Sequence, residues 1–451
     1  MQPLPIPSEM RRAFRHLYWD VAWYGLLAGS TLAFLTVYIT RLGATSWQIG
    51  LLNAGPALVG LLFTMPAGRW LHGRLIGRAV LASAVASRIF FLPMALLPLL
   101  LPPGAQIWAI IIVTLVMAIP GTVLAVGFNA LYAAAVPPAS RGEVAGIRNA
   151  VLAVVYVAST LLSGFILTRM PLDVGYPIVF ALGFVGAAMS TLHVWFLRDV
   201  RGDEGIDPDA VRAPLGDHAR PGSMRFMGMS VRSSVALRIF SRTKLVLRPE
   251  ILRTPFGWVI ASLLLFHFAQ YIPIALFPLL YVNELQLSDQ QISIGTALFQ
   301  ALVLIGSLQL GWLTRRKGNL WIMYVGVTGL SLYPLIMAGA QGMLLYLVAS
   351  VVGGAAWSLV GGALANYLLE MAPINDRPAY LAWYNLALNA GILGGSLAGP
   401  VLMYWVGIRE ALLVGFALRL LAAISIWLAG RHAVPRLRAA AGIVVEVTTN
   451  N

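Results

Sequence analysis

Apolar runs of about twenty residues, almost free of charge, recur twelve times along the chain. A run of that length crosses a hydrocarbon core of ~30 Å at 1.5 Å per residue, so the pattern predicts an all-α polytopic membrane protein with twelve transmembrane helices. The predicted spans are 19–40, 47–69, 79–101, 106–134, 146–168 and 174–197, then 255–281, 290–313, 319–340, 342–369, 380–405 and 410–430. A single long polar stretch, 198–254, divides them six and six. Its first part, RDVRGDEGIDPDAVRAPLGDHARPG, has the acidic, Pro/Gly-rich composition of a flexible linker. Its second part sets Val235, Ile239, Leu245 and Leu247 among Arg238, Arg242, Lys244 and Arg248. That pattern fits a helix lying on an anionic leaflet and a solvated basic linker equally well. The expected organisation is a six-helix bundle over 1–197, a cytoplasmic linker over 198–254, a second bundle over 255–430 and a tail over 431–451.

Composition agrees with the periodicity. Hydrophobic residues make up 59% and charged residues 11%, against roughly 25% charged in a soluble domain, and the mean hydropathy is +0.81. The first apolar run follows Arg11, Arg12 and Arg15 as a signal peptide would, but it is too long and lacks a small-residue cleavage site, so it reads as a retained helix. There are no cysteines, which excludes disulfides and thiolate metal sites. A formal net charge of +14 raises the question of nucleic acid, and its distribution answers it. Of the 31 Lys and Arg, all but Arg41, Arg88, Arg169, Arg409 and Arg419 fall at one end of the spans or in the segments joined to that end. This is the positive-inside asymmetry: it predicts both termini in the cytoplasm and a cell (plasma or inner) membrane location, and leaves nucleic acid without a role.

The two sets of six resemble each other. RLGATSWQIG from 41 and ELQLSDQQIS from 284 align at one offset, pairing Leu42 with Leu285, Gln48 with Gln291, Ile49 with Ile292 and Gly68 with Gly311. A later block aligns at a slightly different one, pairing Pro137 with Pro373, Arg141 with Arg377 and Asn149 with Asn385. Duplicated six-helix units are the organisation of transporters that bind at the midplane. The knots GRWLHGRLIGR (68–78) and GWLTRRKGN (311–319) follow the second and eighth spans.

On these residues the sequence resembles the major facilitator superfamily over essentially its whole length. That family's loop after the second helix reads Gly, three residues, Asp, Arg, any residue, Gly, then Arg or Lys. Here Gly311, Arg316 and Gly318 keep the spacing with Arg315 in place of the acid, while Gly68 is kept, His72 replaces the acid, and Arg74, Gly77 and Arg78 come late. Both acids of the family's charge latch are thus missing. The glycines still allow close helix approach or a sharp turn, and the arginines either cap helix ends or act only as topology determinants. The fourth span has no arginine motif and the fifth no Gly-Pro signature of the kind proton antiporters carry; a Gly-Pro occurs instead in the eleventh, ending at Pro400. The resemblance implies that spans one, four, seven and ten line a central path, that two, five, eight and eleven flank it, and that the others support from outside.

Polar residues in the lining and flanking spans are the candidates for substrate binding. The seventh carries His267, Gln270 and Tyr271 ahead of Pro273 and Pro278, whose missing N–H groups kink a helix and make its outer part a candidate gate. The tenth offers Trp357 and Asn366, the fourth Asn129, and the first Thr31; Asn53, Gln300 and Asn389, beside Asn385, stand on flanking spans. Such amides and aromatics suit a neutral or amphiphilic solute; they equally suit interhelical contacts worth ~0.6 kcal/mol each. Asp20 can form a clasp with Arg148 or Arg141. Arg88 and Arg419 sit near the middle of the third and twelfth spans, where an inward orientation attracts an anionic solute and any other requires backbone carbonyls. Only His267, Glu370 and Asp20 qualify as proton carriers. Small residues at Gly25/Gly29, Ser159/Ser163 and Gly395/Gly399 follow a close-packing spacing. The function expected is secondary active or facilitative transport by alternating access, with a lipid or amphiphile flippase, or an efflux pump, as the alternative on the same scaffold. No catalytic constellation argues for an enzyme. No cofactor or metal is expected, the partners expected are a small-molecule solute and membrane lipids, and the expected state is a monomer.

Overall fold

The computed structural model describes residues 8–137, 140–200, 248–373 and 376–440. Most of the 198–254 linker, including all of its candidate interfacial stretch before Arg248, and the end of the tail lie outside them. Among the described residues twelve helices are long and apolar enough to cross a membrane: α1 (Arg11–Arg41), α2 (Ser46–Leu71), α3 (Ile76–Leu100), α4 (Pro103–Ala135), α5 (Arg141–Arg169), α6 (Leu172–Trp195), α7 (Pro255–Glu284), α8 (Asp289–Lys317), α9 (Asn319–Ala338), α10 (Met343–Met371), α11 (Ala379–Val406) and α12 (Ile408–His432). An even number of spans puts the start of α1 and the end of α12 at one end of the bundle, called the terminal end here, and the loop after α1 at the distal end.

Local chemistry sets the boundaries in the same way twice. Thr45 and Ser288 cap α2 and α8, each accepting from the amide three residues on, while Gln48 and Gln291 reach back to the cap's own N–H, so both helices open with a reciprocal capping box. Arg141 donates to the carbonyls of Ala133 and Val136 at the end of α4, and Arg377 to that of Leu369 at the end of α10. The second alignment pairs Ala133 with Leu369, so these arginines satisfy equivalent orphan carbonyls. The hydrogen-bond ladders also lose bonds at matching depths. α1 widens to a π turn over Ala28–Leu32, and Ser30 within it aligns with Pro273 of α7. α3 is interrupted between Arg88 and Phe91, the position that aligns with Pro334 in α9.

Packing repeats with the sequence. In the first six helices, α1 packs on α5 and α6, α4 on α2 and α3, and α3 on α6; adding six to each number gives the contacts of the second six. Between the sets, α2 packs on α11 and α5 on α8, two seams that exchange under a pseudo-twofold. The cores differ between the two ends of the bundle. At the distal end one continuous core draws Tyr38, Ile39, Leu52 and Phe180 from the first half together with Leu276, Leu280, Ile292 and Met337 from the second. At the terminal end each half has its own: Phe14, Leu17, Val80 and Leu131 in one, and Phe256, Leu263, Met323 and Tyr367 in the other, the latter also taking in Ala57 of α2. The halves are thus fused at one end and separate at the other.

Candidate functional site

The α7–α11 pair carries the densest polar group among the candidates. Gly391, Gly395 and Gly399 let the two helices approach closely: a Cβ on Gly395 would run into the Phe268 carbonyl, and one on Gly399 would sit 2.6 Å from that of Ile272. This closeness brings His267 Nε2 to 3.2 Å from the Tyr384 hydroxyl, both residues buried. One turn on, Gln270 is buried and its side-chain oxygen has no protein partner. On α11, Asn389 Nδ2 donates to the Asn385 carbonyl at 2.8 Å and lies 3.2 Å from that residue's Oδ1. Its own Oδ1 is unpaired and faces Gly60 of α2. A buried acceptor without a donor costs about 1–3 kcal/mol, so two of them on one helix pair are a reserve of hydrogen-bonding capacity.

The other candidates are spread around the bundle. Tyr271 and Trp357 are half-buried against the second half's core, and Asn366 and Gln300 are half-buried on α10 and α8. Asn129 and Asn53 turn back to their own helices, donating to the carbonyls of Ala125 at 3.1 Å and Ile49 at 3.0 Å. Thr31 is fully buried against α6, its hydroxyl 3.5 Å from the Phe180 carbonyl. In the loop knots, Arg74 and Arg316 are exposed and lie over the rings of Trp70 and Trp312 at 4.5 and 4.6 Å. Arg78 is exposed, Gly68 is buried at the end of α2, and Gly311 is half-buried. Gly318 holds φ +77° as the C-cap of α8, a conformation that favours glycine.

Asp20 sits at a buried node with two cations. Its Oδ2 is 3.3 Å from Arg148 Nη2, its Oδ1 is 3.7 Å from Arg88 Nη2, and Ser190 donates to Oδ1 at 2.6 Å. Arg88 also donates to Thr191, and Arg148 to the Leu17 carbonyl while lying over the Phe128 and Tyr132 rings. The pairing with Arg148 is the clasp that the sequence suggested. Arg88 joins it from the last residue before the break in α3. Arg419, fully buried in α12, binds backbone carbonyls of α7 and α9 instead.

The distal end holds a latch that sequence reasoning missed. Arg41 Nε is 2.9 Å from Asp289 Oδ1, Arg41 Nη2 donates to the Leu287 carbonyl at 2.7 Å, and the Tyr176 hydroxyl donates to Asp289 at 3.2 Å. Beside it the Gln290 amide donates to Thr168 Oγ1 at 3.0 Å. Four such bonds tie α1, α5 and α6 to the start of α8. The available signal was Arg41 itself, one of three arginines, with Arg169 and Arg409, at the end that is otherwise poor in cations. Among the described residues no three His, Cys, Asp or Glu side chains gather as metal ligands.

Twelve membrane-length helices, two repeated halves, paired seams and polar groups on the helices between them define the class: a polytopic membrane protein of transporter architecture. The family model of the Major Facilitator Superfamily matches residues 22–338 and 259–444, and the chain belongs to that family. A search of curated protein sequences gives no match. Among solved structures, the chain is similar to a bacterial homologue of the human lysosomal transporter Spinster in an inward-facing, occupied conformation (14% identity, 96% of this chain and 99% of that one, TM-score 0.66). It is also similar to a point mutant of the nucleoside transporter NupG (13%, 92% and 99%, 0.63) and to the human organic anion transporter MFSD10 (13%, 93% and 100%, 0.62). At these identities the likeness establishes the fold.

Proposed function

We propose that this protein carries a small polar solute by alternating access, the two six-helix halves rocking about a site at mid-depth so that it opens to one side at a time. The observation that carries the reading is the difference between the two ends of the bundle: one shared core with an inter-half ion pair at the distal end, two separate cores at the terminal end. The charge asymmetry of the loops makes the terminal end cytoplasmic, so the state described is inward-facing. The unpaired oxygens of Gln270 and Asn389, beside the His267–Tyr384 pair, accept hydrogen bonds and so favour a solute rich in hydroxyl or N–H groups, in keeping with a neutral polar solute. The similar structures include one of a nucleoside transporter and one of a proton:xylose symporter, two proteins whose substrates have that character. The protein works as a monomer in a cell membrane, with both termini in the cytoplasm.

The test starts with melting curves of the purified protein against a panel of nucleosides, sugars and organic anions, since a ligand that binds only the folded state raises the midpoint. A hit is then followed as uptake into proteoliposomes with and without a pH gradient. Stabilisation by a hydroxyl-rich neutral solute that is lost in Gln270→Leu supports the site, whereas stabilisation by anions alone, unchanged in that variant, overturns it. Equal uptake with and without the gradient removes proton coupling.

A further inference from the structure

Proline at position i leaves the carbonyl at i−4 without its helical donor. Pro273 in α7 therefore frees the carbonyl of Ala269, and Pro334 in α9 frees that of Leu330. Arg419, on a third helix, donates Nε to the Ala269 carbonyl at 3.4 Å, Nη2 to the adjacent Gln270 carbonyl at 3.0 Å and Nη1 to the Leu330 carbonyl at 3.0 Å. One guanidinium thus serves both breaks. It is fully buried, and among the described residues no carboxylate lies within ion-pairing distance of it. A buried cation in a membrane span is costly, and here its compensation comes from oxygens that the two prolines release. Gly415, one turn earlier on α12, packs so closely on Pro273 that a Cβ would sit 2.5 Å from its ring, which seats the helix at the break.

The first half reaches the same end by other means. The second alignment pairs Arg419 with Gly183 of α6. Gly183 packs on the Thr31 and Ser30 hydroxyls, at the π turn that matches Pro273. In both halves the sixth helix of the set braces the break in the first; only in the second is the brace a cation.

We infer that Arg419 is the positioning residue of the polar turn in α7. By binding the backbone at Ala269 and Gln270 it fixes where the side chains of His267, Gln270 and Tyr271 stand, and by binding Leu330 it makes α7, α9 and α12 one body across two gaps in the helical hydrogen-bond ladders. This role rests on backbone geometry and holds whether or not the His267 cluster binds the solute.

The experiment uses suppression by restoring the missing donors. Arg419→Leu in the native background lowers the melting temperature of the full-length protein by several degrees or abolishes folding. In a Pro273→Ala/Pro334→Ala background each freed carbonyl regains a helical N–H, and the same Arg419→Leu change then costs little. Arg419→Lys, with a single ammonium, falls between. Because the chain has no cysteines, a Leu264→Cys/Leu332→Cys pair reports the α7–α9 distance through spin labels, and its distribution broadens in Arg419→Lys and narrows again when the prolines are replaced. An equal loss from Arg419→Leu in both backgrounds, misfolding in both, or an unchanged distance distribution overturns the inference.

Discussion

Asp20 is outnumbered by two guanidiniums, so removing its charge strands two cations rather than one. Asp20→Asn is expected to cost about 3–5 kcal/mol, the range for breaking a buried ion pair. Arg148→Leu should cost less, because Arg88 and Ser190 remain on the carboxylate, and Arg88→Leu least, because its contact with Asp20 is the longer at 3.7 Å. Melting in a single detergent gives the order, and equal losses for all three variants would show that the node does not act through Asp20. At this scale the sequence was legible where chemistry limits the choice. A lone carboxylate in an apolar span needs a cation, and Arg148 was among the few within reach. The same logic could not assign Arg88 or Arg419. Arg88 depends on a helix break that Pro93 signals only indirectly, by leaving the Ile89 carbonyl four residues earlier without its helical donor, and Arg419 depends on carbonyls, which no side-chain pattern reveals.

Helix pairs are set by small residues whose partners are backbone. A Cβ on Gly29 would meet the Tyr156 carbonyl at 2.5 Å as well as the Ser159 hydroxyl, and one on Gly25 would sit 3.3 Å from the Leu152 carbonyl. Backbone of a packed helix cannot step aside, so Gly29→Ala should separate α1 from α5 and cost about 1–3 kcal/mol, the range for overpacking. Gly121 in α4 has nothing within 4 Å of the same added atom, and Gly121→Ala should be neutral or slightly stabilising through helix propensity. Paired thermal melts of the two variants check this, and similar shifts would mean that the α1–α5 seam is looser than drawn. The twelve spans, their even division and the small-residue spacings at Gly25/Gly29 and Gly395/Gly399 were all legible, because a hydrocarbon solvent imposes length and close approach directly. The breaks were half legible. Pro273 announces one; the π turn at Ala28–Leu32 holds the Gly29–Ser30 pair, at which helices also bend, but its glycine reads equally as a close-packing residue.

At the scale of the whole molecule, the pseudo-twofold fails at one informative place. The offset that pairs Leu42 with Leu285 puts Glu284 opposite Arg41 and Ser46 opposite Asp289, so the symmetry mate of the Arg41–Asp289 latch has an acid facing a serine and cannot pair. The distal end is therefore held by ions at one seam and, where α2 meets α11, by Gly50 set against Ser396 and Pro400. This asymmetry was not legible in a comparison of the halves for likeness, since it lies in what they do not share. It makes the latch testable without any solute. Arg41 and Asp289 are largely buried in the described state, and Asp289 stands in the first turn of α8, where the helix dipole also favours its charge. Opening the distal end must break the pair and rehydrate both groups. Asp289→Asn should then raise the ratio of distally open to distally closed protein by at least tenfold, equivalent to ~1.4 kcal/mol, and Arg41→Met should do the same. Since either change alone removes the interaction, the double variant should open little further than the singles. Spin labels on Met170→Cys and Asn283→Cys, exposed residues of opposite halves near the distal end, read the ratio as a second, longer distance. Additive effects of the two substitutions, or a distance distribution unchanged in both, would mean that the shared apolar core alone keeps this end shut.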